Sequence, residues 1–248
     1  MFIYLWYPST VSEITVRDIN NIHSHFDSSI TAVDCGEKCS PYNDFGVPFC
    51  CDIGQTVPTA YNLEWEYLRT NTDLWRLYSV NEYRDNQALQ AILPEGQVLL
   101  KCLGHQRCKR PYRSISCRAF PFYPYITLKN EFIGLSYYWQ YEDRCWVISN
   151  LDCVTPKYIQ EFVETYDNIF KIFPEEIVNF RSYSIMMRQV FGRKKRRIPL
   201  LHRNGGFYKV NPRNGHLQSL DPRNYSKYGP YKITSLLKFP EEEVQGKC

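Results

Sequence analysis

The sequence has no strong excess of charge of either sign. Its 30 Lys and Arg residues against 26 Asp and Glu residues give a formal net charge of +4, a balance that does not by itself predict binding to nucleic acid. The sequence also lacks internal repeats and low-complexity tracts. With 44% hydrophobic and 23% charged residues, it fits neither a disordered chain nor a coiled coil. The 248 residues are therefore expected to form a globular fold with a substantial core.

Long apolar runs are missing as well. The run Met1–Tyr7 has no basic residue before it and is ended by Pro8, so it is too short for the apolar region of a signal peptide or for a membrane span. We therefore expect a cytoplasmic protein with no membrane partner. Because thiols stay reduced in the cytosol, the 10 cysteines are expected to serve metal or redox chemistry rather than to form five disulfides.

The common signatures of enzymes are also absent from the sequence. There is no Walker-type loop, no Rossmann glycine fingerprint, no nucleophile elbow and no His-Glu-x-x-His. The aromatic residues, 16% of the chain, do not form an RNP-like pattern. These absences leave open whether the chain catalyses a reaction.

Short elements alternate along the chain and predict an α+β fold. Apolar spacing predicts one helix after the possible caps Ser9 and Thr10, another capped by Thr59, and a third over 82–93. Glycine and proline interrupt 34–58, so this segment is predicted to be a loop. Strands or extended segments are expected at 1–7, 97–100, 120–124 and 132–139.

The C-terminal part carries the clearest helical pattern. Thr155 as the cap and Pro156 at the first helical position open a helix with one apolar face, which Pro174 ends. A further helix is expected to reach about Phe191, and the pair Asn204-Gly205 predicts a hairpin.

These patterns divide the chain into two predicted parts. Residues 1–154 form a loop-rich cysteine-cluster domain with short strands and helices, and 155–248 form a C-terminal helical extension with a hairpin, packed on the first part. The basic run Arg193–Arg197 could contact phosphates, but five charges at a helix end are more often a solvated terminus that suits the helix dipole.

Most cysteines fall into two groups with short internal spacings. The groups consist of Cys35, Cys39, Cys50 and Cys51, and of Cys102, Cys108 and Cys117. Glycine-rich loops can turn two thiolates toward one ion, and thiolates select zinc or iron–sulfur clusters over Mg²⁺ or Ca²⁺. With Cys145 or Cys153 as an eighth ligand, the set suffices for two sites of four thiolates each.

This pattern resembles the YkgJ-type cysteine-cluster family, a group described as zinc- or iron-chelating with a CxxCxxCC signature and related to the cysteine-rich part of flagellin lysine methylases. The resemblance covers roughly residues 34–153. Arg113 and Arg118 fall on arginines of the family, and Ser114 stands where proline is usual. The resemblance implies as metal ligands Cys35, Cys39, Cys50, Cys51, Cys102, Cys108 and Cys117. We take Cys153 as the eighth ligand, although position does not decide between it and Cys145.

Other residues near the cysteines are secondary candidates. Cys145 and His105 are possible further ligands, although a histidine in such a loop is more often simply exposed. Arg113 and Arg118 could offset the negative charge of a thiolate cluster, or they could form ordinary salt bridges.

The sequence therefore predicts a metal-binding protein whose thiolates hold an iron–sulfur cluster or zinc. An iron–sulfur centre would serve redox or protein-modification chemistry with an unknown protein or redox partner, whereas zinc held by four cysteines would be closed and structural. The alternative is a non-catalytic interaction protein with structural zinc, on which a partner or nucleic acid docks at the basic C-terminal part. We expect a protein partner there rather than nucleic acid. Methyl transfer is a third interpretation, implied by the resemblance alone.

Overall fold

The computed structural model describes residues 14–79 and 93–235. The predicted strand at 1–7, Cys248, and all of the predicted helix over 82–93 except Leu93 lie outside these ranges. The helices are α1 (Val16–His25), α2 (Cys35–Cys39), α3 (Asn62–Asn71), α4 (Ile115–Ala119), α5 (Trp146–Ser149), α6 (Pro156–Ile172) and α7 (Glu176–Arg193). The strands are β1 (Thr59–Tyr61), β2 (Trp75–Leu77), β3 (Gln97–Cys102), β4 (Phe122–Ile126), β5 (Phe132–Tyr137), β6 (Ile198–His202), β7 (Phe207–Val210) and β8 (Leu217–Ser219).

The strands form two antiparallel sheets, which confirms the predicted α+β class. The smaller sheet has the order β1-β3-β2, and the larger has the order β4-β5-β6-β7-β8. The pairing of Gly134 in β5 with His202 in β6 joins strands from both sides of residue 154 in the larger sheet. The predicted hairpin is therefore part of the main sheet and not an appendage to it.

Helices α6 and α7 and the hairpin agree with the sequence patterns. The Thr155 hydroxyl accepts a hydrogen bond from the Tyr158 amide at 3.2 Å, and Pro156 is the first helical residue. Strands β6 and β7 flank Asn204-Gly205, where Gly205 has a φ of +82°, a conformation that glycine adopts without steric cost.

Three predicted elements differ from the structure. Helix α1 starts after Thr15, because Thr15 and Asp18 form a capping box; the predicted caps Ser9 and Thr10 lie outside the described residues. Thr59 belongs to β1, paired with Leu99, so the following helix begins only at Asn62. The segment 34–58 is not wholly a loop, since it contains α2 and short 3₁₀ turns.

Two apolar cores hold these elements together. The main core lies between the larger sheet and helices α1, α6 and α7, and its fully buried side chains include Phe26, Phe122, Tyr123, Tyr158, Phe162, Phe191 and Leu200. A smaller core under the smaller sheet contains Leu68, Leu74, Trp75 and Leu100. Within the two described ranges, no helix is both long and apolar enough to cross a membrane.

Candidate metal centre

Eight cysteines of the described chain are free thiols, and we call them the cysteine cluster. They come from both sequence groups and from one position beyond them. The members are Cys35 and Cys39 on α2, Cys50 and Cys51 on the 3₁₀ turn Phe49–Cys51, Cys102 at the end of β3, Cys108 after the 3₁₀ turn His105–Arg107, Cys117 on α4, and Cys145 at the N-cap of α5.

Helix α2 presents the first two thiols. Asp34 caps it by accepting a hydrogen bond from the Gly36 amide at 2.8 Å. Residues four apart lie on one face of a helix, so Cys35 and Cys39 share a face. The Cys39 thiol is 3.6 Å from the Gly36 carbonyl oxygen, to which it donates. The glycine that led us to predict a loop is accommodated within this short helix.

Cys50 and Cys51 form a close pair of thiols. The turn that carries them is closed by the Cys51 amide, which donates to the Pro48 carbonyl at 2.8 Å. The two Sγ atoms are 3.9 Å apart.

Helix α4 positions Cys117. The Ser114 hydroxyl caps the helix by accepting from the Cys117 amide at 3.2 Å, a bond that proline at this position could not make. The Ser116 hydroxyl donates to the Thr59 carbonyl at 2.6 Å. This bond connects α4 to strand β1 of the smaller sheet. Strand β3 of the same sheet ends at Cys102, so the bond also relates the position of Cys117 to that of Cys102.

Electrostatic interactions connect the cluster thiols in two overlapping sets of four. In the first set, the Cys35 sulfur interacts with Cys39, Cys50 and Cys145, and Cys145 also interacts with Cys39 and Cys50. In the second set, Cys102 and Cys117 interact with each other and with Cys51, and Cys102 also interacts with Cys108. The close pair of Cys50 and Cys51 and an interaction between Cys39 and Cys51 join the two sets.

Burial keeps most of these thiols protonated when no cation is bound. It raises the pKa of Cys35 to about 11 and that of Cys117 to about 12, and it raises the pKa values of Cys39, Cys102 and Cys145. The pair behaves differently. The hydrogen bond between the two thiols raises the pKa of Cys50 and lowers that of Cys51, so Cys51 is the thiol of this pair that ionises more readily.

Arg113 is the cation of the cluster. Its Nε donates to the Cys108 Sγ at 3.0 Å, and its charge also interacts with four other cysteines, namely Cys35, Cys50, Cys51 and Cys117. Burial disfavours the charged guanidinium, but the bond to Cys108 and the other thiols outweigh it and raise the Arg113 pKa. The position agrees with the predicted role of offsetting thiolate charge.

Arg118 has a different position from the one predicted for it. Its buried guanidinium donates to the carbonyl of Phe26, to that of His23 at 2.7 Å, and to that of Pro111 at 2.7 Å. The first two carbonyls close the C-terminus of α1, where a cation suits the helix dipole. Arg118 therefore connects α1 to the loop before α4, and its charge is directed at carbonyl oxygens and not at thiols.

Cys153 and His105 contribute less than the sequence suggested. Cys153 is buried and disulfide-bonded, so its sulfur is not a free thiolate in this structure, whereas Cys145 lies with Cys35, Cys39 and Cys50. His105 is half-buried. Its backbone carbonyl oxygen accepts a hydrogen bond from the Cys108 amide at 3.1 Å.

Tyr231 lies beside the first set of thiols and was missed by sequence reasoning. Its ring is buried and meets Tyr42 edge-on at 5.4 Å between ring centroids, and its hydroxyl group interacts electrostatically with Cys35, Cys39 and Cys145. Its hydroxyl donates to the Arg144 carbonyl at 2.8 Å. Tyr231 is far from every cluster cysteine along the chain, so no local spacing could indicate it.

Within 14–79 and 93–235, no three His, Cys, Asp or Glu side chains are arranged to share one metal ion. The comparisons with known proteins add no relative: no family model matches the chain, and no curated protein or solved structure matches it. The resemblance to the YkgJ-type family therefore stays a prediction.

Proposed function

We propose that the protein binds thiolate-coordinated metal at the cysteine cluster, as zinc or as iron–sulfur clusters. The observation that carries the proposal is that eight free thiols, from positions up to 110 residues apart in sequence, interact in one network, and that five of them interact with Arg113. Unliganded buried thiols are common. Their convergence from six separate segments, with one arginine that interacts with five of them, favours a ligand set.

The two overlapping sets of thiols favour two metal centres. Cys35, Cys39, Cys50 and Cys145 would hold one, and Cys51, Cys102, Cys108 and Cys117 would hold the other. Side-chain rotations would have to bring each set to ligand distance, because no three of the described thiols are now arranged around one ion; the contact between Cys50 and Cys51 lies between the two centres. Metal must also displace thiol protons that burial retains, so loading should release close to one proton per coordinated thiol.

The experiment is anaerobic purification followed by analysis of zinc, iron and acid-labile sulfide in wild type and in matched cysteine variants. We expect Cys145→Ser and Cys117→Ser each to lose about half of the bound metal, because each removes a ligand from a different centre. Cys153→Ser is the control, since it removes a sulfur that is not a free thiol, and it should retain full metal content.

The outcomes separate the possible identities of the metal. Colourless protein with zinc would indicate closed, structural sites; brown protein with iron and sulfide would indicate redox or protein-modification chemistry. Full metal content in both Cys145→Ser and Cys117→Ser, or metal-free wild type, would refute the proposal. Point variants are preferable to removing 155–248, because that deletion would take β6, β7 and β8 out of the larger sheet.

A further inference from the structure

A cavity of about 80 Å³ lies between the smaller sheet and helices α6 and α7, apart from the cysteine cluster. Aromatic rings form much of its wall, and two carboxylates reach it. The rings are those of Tyr61, Phe122, Tyr138, Tyr166 and Phe180, and the carboxylates are Glu64 and Glu176. Such an aromatic surface with a small number of polar groups is typical of a small-ligand site.

The two carboxylates differ in how their charge is compensated. Glu64 accepts from the Ile115 amide at 2.6 Å and pairs with His23 at 3.1 Å. Glu176 accepts from two neutral donors, the Gln97 amide at 2.9 Å and the Asn179 amide at 3.2 Å, and it interacts with the neutral Tyr61 side chain. In the described part of the chain, no Lys, Arg or His forms an ion pair with Glu176.

Glu176 is only 4% exposed, and a buried carboxylate without a cation is costly. Burial raises its pKa, which is the direction expected when no positive charge lies beside a carboxyl group. By contrast, the half-buried Glu142 is paired with Arg196 at 2.6 Å. The cavity therefore combines uncompensated negative charge with aromatic rings, and both features favour a cation.

We propose that this cavity binds a small organic cation, a primary alkylammonium, with its ammonium on Glu176 and its methylene groups against the aromatic wall. An ammonium supplies three donors to oxygen, and the electron-rich faces of the rings attract its charge. The small volume restricts the ligand to a few non-hydrogen atoms. The site does not depend on the metal centre.

The test is titration of the full-length protein with ethylammonium chloride, followed by ligand-observed NMR and calorimetry, with ethanol as the neutral analogue of similar size. We expect saturable binding of ethylammonium and at least about tenfold weaker binding of ethanol, because ethanol lacks the charge. Glu176→Gln keeps the shape of the side chain and should weaken ethylammonium binding by about tenfold or more.

Two further variants keep the test decisive. Glu175→Gln removes the same charge from the neighbouring exposed position and should bind ethylammonium as wild type does. If Glu176→Gln does not fold, Phe180→Leu removes one ring of the wall and should weaken binding several-fold. No saturable binding to wild type, equal binding of ethanol, or undiminished binding by the folded Glu176→Gln and Phe180→Leu variants would overturn the proposal.

Discussion

The cysteine segment 34–57 and helix α6 are held in place by different forces. Between residues 34 and 57, only Cys39 and Asn43 are nearly inaccessible to solvent and the thiols of Cys35, Cys50 and Cys51 are partly buried, whereas α6 alone buries seven side chains. Burial of apolar surface at ~25 cal/mol per Å² accounts for the order of α6. It cannot account for the cysteine segment, whose described structure rests on short turns, hydrogen bonds and thiols. Structural zinc contributes roughly 10–16 kcal/mol in small domains, so metal could supply what the apolar core does not.

The largest expected effect comes from removing metal. If the cysteine segment depends on metal, anaerobic chelation should lower its amide hydrogen-exchange protection by about a hundredfold or more, while the larger sheet and α6 keep theirs. Exchange measured by mass spectrometry with and without chelator would show this. Equal protection of 34–57 in both states would contradict the comparison.

Phe162→Ala should have the opposite pattern. Phe162 is fully buried and packs on Phe26 and Tyr166, so truncation should lower the free energy of unfolding by about 4 kcal/mol through lost burial and a cavity. Metal content should not change in the protein that remains folded. Denaturant unfolding and metal analysis of the same sample would check both expectations. A loss of metal from the folded variant would contradict the difference proposed between the two regions.

Two arginines five residues apart sharpen the comparison further. Arg118→Gln should lower the free energy of unfolding by about 3 kcal/mol, because it leaves buried carbonyls of α1 without donors. Arg113→Gln should change stability much less but alter the metal centre, since Arg113 faces thiols. Thermal unfolding and, for an iron–sulfur centre, the reduction potential of both variants would test this. Similar effects of the two substitutions would contradict the separate roles.

The smallest expected effect concerns Glu176. Its folded-state pKa is raised, so the folded protein holds its proton at pH values where the unfolded chain has lost it. The free energy of unfolding should therefore fall as the pH rises from the unfolded to the folded pKa. Glu176→Gln should lack this decline, which denaturant unfolding at a series of pH values would detect as a difference between wild type and variant. Parallel curves would contradict the assignment.

Elements with strong periodicity could be predicted from the sequence. The apolar face of α6, its Thr155 cap and the hairpin at Asn204-Gly205 were all predicted correctly because they depend on local patterns. Helix α1 began later than predicted because the capping box of Thr15 and Asp18 competes with other possible caps nearby. The residue types alone do not decide between them.

The candidate site could be predicted only in part. The spacings of the two cysteine groups indicated seven of the eight cluster thiols, but Cys145 and Cys153 could not be distinguished by position, because their place depends on how α5 packs on α2. Arg113 and Arg118 look equivalent in sequence. Their different roles follow from tertiary contacts with Cys108 and with α1, which no local pattern encodes.

The most direct test of the metal centre is X-ray absorption at the zinc and iron edges on anaerobically purified protein. The account predicts a first shell made of sulfur, at about 2.3 Å, with no nitrogen or oxygen ligand. The same spectrum should be obtained for Cys153→Ser, and it should change for Cys145→Ser. A first shell with nitrogen or oxygen ligands, or protein without bound metal, would contradict the central claim that eight thiols form the ligand set.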